Sequence, residues 1–290
     1  MSIKLIRIEY VAAVVIYGTI GMFLRFISLP SEAAALCRGV IGSIFILIFM
    51  RTRGRNPDRQ AIRRNLVYLV PSGICLGLNW IFLFAAYIRT TVAIASLCNY
   101  MAPLIVIMIA PAVLREKLDK RKLPCVAAAF LGIVLVSNIT DGGGNLPGVA
   151  LGLTAAFCFV GIVLCNRKIS GISLYDKAVV QLAVSAVTIL PYVIIHNYGK
   201  PVEMNLRSVL IILLLGIVHT GAAYCFYFTG LSSLPVQEVA VLGYLEPVVS
   251  MICSAVFLHE PMGTGGRIGA VLILAAAVVS ELLSETPASE

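Results

Sequence analysis

Glu246 is the residue around which chemistry could be organised. It lies in an apolar run spanning roughly 236–258, ten residues from one end and twelve from the other. If that run crosses a bilayer, a carboxylate at this depth is costly unless it faces protein or water, which marks it as functional. It could bind a substrate ammonium group, or it could take up and release a proton, as intramembrane carboxylates do in relays. A structural carboxyl hydrogen-bonded between helices is the plainer alternative. Pro247 follows at once, and Pro103 holds the corresponding place in the run 92–114. Each lacks an N–H and frees the carbonyl four residues earlier, on Gly243 and Asn99. Tyr100 and Tyr244 precede these prolines by three residues, almost one helical turn, and so share a face with them. Asn79, Asn99, Trp80, Tyr224 and Tyr227 add amide and aromatic groups. Such a set suits an organic substrate with an apolar body and a few polar groups, although aromatics at helical spacing also serve packing. Arg38 could attract an anionic group or act as an interhelical structural arginine. Glu32, six positions earlier, is too far along the helix for a direct same-face pair. His219 could relay protons or be a hydrogen-bonded helix residue.

The elements that must hold these residues are membrane spans. Of the 290 residues, 60% are hydrophobic and 12% charged, and mean hydropathy is +0.98. A soluble globule cannot cover that much apolar surface, so a soluble enzyme, a nucleic-acid binder and a disordered chain are set aside. A span needs about 20 mostly apolar residues to cross roughly 30 Å of hydrocarbon. Ten runs qualify, near 10–29, 32–50, 66–88, 92–114, 123–139, 148–166, 178–195, 208–231, 236–258 and 265–283. They are continuous rather than alternating, so the fold expected is an all-α polytopic bundle and not a barrel. Lys4 and Arg7 lend the first run a signal-like start, but Arg25 interrupts it before any cleavage site, and an uncleaved first helix is expected.

The basic residues orient the bundle. With the N-terminus inside, sixteen Lys and Arg fall on inner segments and five on outer ones. This bias places both termini in the cytoplasm. The cluster Arg51–Arg64 reads as an inner loop rather than a nucleic-acid patch. The eight cysteines all fall inside apolar runs with no C-x-x-C pair and read as packing residues. His196, His219 and His259 lie in different segments without ligand spacing, so no metal or cofactor is expected.

The chain also repeats itself. Tyr100 matches Tyr244, Pro103 matches Pro247, Leu114 matches Leu258 and Glu116 matches Glu260, all at an ungapped offset of 144. The series runs back through Val92 and Val236, Phe84 and Phe228, Gly77 and Gly221, to Leu66 and Leu210. Each half holds five runs, an odd number, so the second must enter the membrane from the opposite side. The loop Arg115–Lys122 is basic, whereas its partner His259–Gly266 carries no Lys or Arg. The expected architecture is therefore ten transmembrane helices as two inverted five-helix repeats, over 1–140 and 146–284, with 285–290 as a short cytoplasmic tail. Inverted repeats are the plan of many secondary transporters.

In these motifs the chain resembles the EamA-type, ten-helix branch of the drug/metabolite transporter superfamily. Tyr100 to Pro103 and on to Leu114 and Glu116, then Gly132, carry the resemblance in the first half. Tyr244 to Pro247, Leu258 and Glu260, then Gly269, carry it in the second, with Gly221–Tyr224 and Arg38 besides. The glycine-rich stretch after Glu260 departs from the pattern. The resemblance implies a central cavity and export of amino acids, other small metabolites or drugs by alternating access. A channel or facilitator is the competing class; it usually shows a ring or filter of polar groups. No P-loop, H-E-x-x-H or G-x-S-x-G is present, so neither an ATP-driven pump nor an enzyme is expected. The partners expected are a small-molecule substrate, the lipid bilayer and, if Glu246 titrates, protons. A bacterial plasma membrane is the expected location, and oligomeric state is not readable.

Overall fold

The computed structural model describes residues 2–114, 119–136, 146–196 and 205–283. Glu116 and the basic residues beside it, Lys200 and the tail 285–290 lie outside the described residues. Among those described, the chain is helical throughout, with no strand. The helices are α1 (Ile3–Gly18), α2 (Ile20–Leu24), α3 (Ser31–Thr52), α4 (Arg59–Arg89), α5 (Val92–Asn99), α6 (Ala102–Leu114), α7 (Leu123–Val136), α8 (Leu146–Asn166), α9 (Leu174–His196), α10 (Leu206–Gly216), α11 (Ala223–Ser233), α12 (Val236–Gly243), α13 (Leu245–Val256) and α14 (Thr264–Leu283). A π-helical turn, Ile217–Ala222, joins α10 to α11.

Among the described residues, eight segments are long and apolar enough to cross a membrane. The two remaining runs are shorter. Helix α7 has 14 described residues, and the run 236–258 is divided at Tyr244 into α12 and α13. Helix starts are set by side-chain caps where the sequence offers them. Asp58 accepts from the backbone N–H of Gln60 and Ala61, which carries α4 well before the apolar run near 66. Asn205 caps α10 through the N–H of Ser208.

Packing uses small residues where helices cross. Gly132 of α7 and Gly269 of α14 face each other so closely that a Cβ on Gly132 would sit 2.7 Å from the Gly269 carbonyl oxygen. With no hydrophobic drive between helices in lipid, such close backbone approach supplies the dispersion contacts. Helix α4 runs along α8 and α9. Large apolar side chains point outward, among them Ile195, Leu206 and Val67, more than 70% exposed, as a lipid-facing surface requires.

Contacts between helix ends sort into two sets. At one end, Arg7 of α1 pairs with Glu238 of α12, Arg121 reaches the Leu283 carbonyl at 3.3 Å, and Asn65 reaches the Ser170 carbonyl at 2.9 Å. This end holds the start of α1 and the finish of α14. At the far end, Arg25 pairs with Glu260 at 2.6 Å, Ser28 N–H donates to Ser208 at 3.1 Å, and His196 faces Glu32 at 3.8 Å.

Candidate substrate site between two helix breaks

Both helices expected to be interrupted are interrupted, but at the tyrosines. Helix α5 ends at Asn99, and Tyr100 has φ −72° and ψ 0°. Helix α12 ends at Gly243, and Tyr244 has φ −70° and ψ −6°. Residues related by the 144-residue offset thus carry the same backbone turn. Pro103 and Pro247 come just after, in the first turns of α6 and α13. There the missing N–H has no helical partner to lose and the fixed φ suits a helix start. The residues whose carbonyls the prolines free, Asn99 and Gly243, are the last of the first piece, and the prolines begin the second.

A cavity of about 280 Å³ opens beside these breaks. Asn99, Tyr100 and Pro103 line it from the first break; Gly243, Tyr244 and Glu246 line it from the second. Tyr10 and Val14 of α1, Val239 of α12 and Glu281 in the last turn of α14 carry the wall toward the end that holds the termini. Glu246 and Glu281 are the charged groups among the described lining residues; no Lys, Arg or His is among them. Tyr100 and Glu246 line the same cavity. Tyrosine rings pack around them. Tyr10 and Tyr227 stack at 5.2 Å, Tyr17 stands 5.9 Å from both Tyr224 and Tyr227, and Tyr100 lies 6.4 Å from Tyr244. Tyr10 is locked in place by donating to the Val239 carbonyl at 2.9 Å.

The other residues singled out in the sequence stand behind this wall. Asn79 donates to the Asn99 side-chain oxygen at 2.9 Å and to the Ala155 carbonyl at 2.8 Å, so it orients Asn99 rather than facing the cavity. The Arg38 guanidinium lies 4.4 Å over the Trp80 ring and donates from Nε to Thr220 at 2.7 Å. Glu32 takes no part in that. The π-helical turn places Thr220 for Arg38 and places the His219 ring between Thr19 Oγ1, at 2.9 Å, and the Leu214 carbonyl, at 3.3 Å. Tyr10 and Glu281 were not singled out in the sequence. Tyr10 shows no signal there; Glu281 is an acidic residue inside an apolar run, and that was its one mark.

A bundle of apolar helices around an acidic, tyrosine-lined cavity at paired helix breaks defines a polytopic membrane transporter. The EamA-like transporter family matches this chain twice, over residues 8–138 and 146–282, and the chain belongs to that family. It is 25% identical over 273 residues to the transporter YxxF of Bacillus subtilis, covering 92% of this chain and 86% of that one. It is 26% identical over 265 residues to RarD of Salmonella typhimurium, covering 87% and 86%, and 26% identical over 212 residues to PecM of Dickeya dadantii, covering 72% and 71%. A solved crystal structure shares the fold at a TM-score of 0.66 and 20% identity, over 96% of this chain and 98% of that one. The chain is a membrane transporter and not an enzyme.

Proposed function

We propose that the protein is a secondary active transporter exporting a small organic metabolite, an amino acid or an amphipathic amine, by alternating access. Its unit is ten crossings in two inverted halves, 1–140 and 146–284, in a bacterial plasma membrane with both termini cytoplasmic. The two separate family matches, the 144-residue repeat and the sorting of helix-end contacts into two layers support that architecture. The short α7 and the divided α12–α13 are then crossings too.

One observation carries the functional reading. Glu246 stands at a helix break inside a cavity whose described charged groups are carboxylates and whose body is aromatic. A site of that kind favours a positively charged group with an apolar body: the carboxylate attracts an ammonium, and tyrosine faces add cation–π attraction. At about 280 Å³ the cavity is at the small end for ligand sites, which favours a metabolite over a bulky drug. Glu246 is assigned both substrate contact and proton coupling, with the proton leaving as the ammonium arrives.

The test is counterflow in proteoliposomes preloaded with pools of amino acids, amines or nucleosides, with and without a pH gradient. Saturable exchange from an amine or amino-acid pool is expected, with a gradient response that Glu246→Gln removes. Non-saturating flux would make the protein a channel. Normal flux with unchanged pH dependence in folded Glu246→Gln would remove that residue from the mechanism.

A further inference from the structure

We infer that Arg25, Glu260 and the backbone N–H of Val92 form the gate that closes the far end of the transport path. The inference rests on the alternating-access reading. The cavity wall runs from the helix breaks toward the end bearing both termini, through Val239, Tyr10 and Glu281. In the other direction the path is blocked in three layers.

The deepest layer is close backbone packing. A Cβ on Gly18 would fall 2.6 Å from the Glu246 carbonyl oxygen, and one on Gly21 would collide with Val92. Helices α1 and α2 therefore lie hard against α13 and α5, immediately beyond the site. The second layer is the buried hydrogen bond between Ser96 and Ser250 at 2.7 Å, which joins α5 to α13.

The outermost layer is polar and centred on Glu260. Its Oε1 accepts from Arg25 at 2.6 Å. Its Oε2 accepts from Val92 N–H at 2.8 Å and from the Ser254 hydroxyl at 2.5 Å. Arg25 donates again to the Thr90 carbonyl at 2.8 Å. One carboxylate thus ties the end of α2, the α4–α5 turn and the end of α13. The Glu260 side chain is 13% exposed and that of Arg25 32%, so the carboxylate is largely enclosed while the guanidinium reaches solvent. Its aim depends on the backbone: His259 has φ 51°, a left-handed conformation that a non-glycine residue keeps only where its surroundings impose it. That turn folds Glu260 back until its own N–H reaches the Ser254 carbonyl at 3.0 Å.

This arrangement is strong enough to hold and local enough to release. Opening the far end means moving α1–α2 away from α5 and α13; Arg25 crosses that boundary to both Glu260 and the Thr90 carbonyl, while Val92 N–H and the Ser254 hydroxyl hold the Glu260 carboxylate in place on the other side. The Arg7–Glu238 pair at the termini-bearing end lies on the surface, with side chains 49% and 23% exposed.

The test needs no substrate, so it succeeds or fails separately from counterflow. Ser96→Cys places a thiol beneath the gate. A membrane-impermeant methanethiosulfonate is applied to sealed vesicles from either side, and modification at position 96 is read by peptide mass spectrometry, which leaves the native cysteines in place. Labelling from the far side should rise about tenfold when Glu260→Ala is added, because losing a charged, multiply bonded acceptor shifts the closed population by that order. Glu260→Gln, which still accepts from Val92 and Ser254, should give a smaller rise; Arg25→Gln should resemble it. These two variants carry the test if Glu260→Ala does not fold. An unchanged far-side rate, or an equal rise from both sides, would overturn the gate. Exchange in the wild type together with an unchanged labelling rate would overturn the gate alone.

Discussion

The two ends of the bundle are fastened by ion pairs of different kinds. Arg7 and Glu238 meet near the termini in open solvent, whereas Arg25 and Glu260 meet at the far end inside a set of backbone and hydroxyl partners. Exposed pairs contribute little, because water already solvates both charges and ordering long side chains costs entropy. An enclosed carboxylate with several donors leaves those donors unsatisfied when it is removed, and that loss is larger. The lesson is that the number of ion pairs at each end says little about closure; the partners around each pair decide it.

That difference can be broken by substitution. Glu260→Ala should have the largest effect, destabilising the protein in detergent by about 2 kcal/mol, the loss typical of hydrogen bonds to a charged group, read as a fall in thermal midpoint. Asn79→Ala should come next at about 1 kcal/mol, since it strips a donor from Asn99 and from the Ala155 carbonyl; a raised KM in exchange assays would show that Asn99 has lost its orientation. Glu238→Ala should cost less again, because its pair with Arg7 is open to water, and should lose even that in high salt. A Glu238 variant as damaging as the Glu260 one would erase the contrast.

The smallest effect should come from Asp119, in the loop before α7. Hydrogen bonds from Arg121 hold its carboxyl below the usual carboxylate range. A depressed value in the folded state means the pair contributes above the ordinary range and stops contributing as pH falls through the depressed value. Melting curves of wild type and Asp119→Asn should therefore differ slightly at neutral pH and converge in acid.

Much of this molecule was legible because bilayer physics is coarse. Apolar runs map onto helices, and the exceptions have local causes, such as Asp58 carrying α4 back to Arg59. The 144-residue repeat pointed to Tyr100 and Tyr244 together, and they share a backbone turn and a cavity. What the sequence concealed was lateral contact. Arg25 interrupts the first apolar run and Glu260 matches Glu116 in the repeat, and nothing in either segment says that residues 235 positions apart will meet. Tyr10 carries no polar pattern, and its place in the site comes from stacking on Tyr227. The prolines mark the breaks by their type, and they sit one or two residues inside a helix start, where a proline is comfortable and a helix resumes.

The π-helical turn at Ile217–Ala222 has a consequence for energetic balance. The related stretch of the first half, residues 73–78, lies inside the uninterrupted helix α4. Two identical halves would give a carrier whose two orientations are mirror images of equal free energy. Here one half holds Thr220 against Arg38 and His219 against Thr19, and the corresponding positions of the other half are Leu76 and Cys75. Under the proposed alternating access the two orientations would not be degenerate, and each 1.4 kcal/mol of asymmetry is about a factor of ten in resting population. A carrier of the proposed kind would then wait on one side of its membrane without any gradient to hold it there.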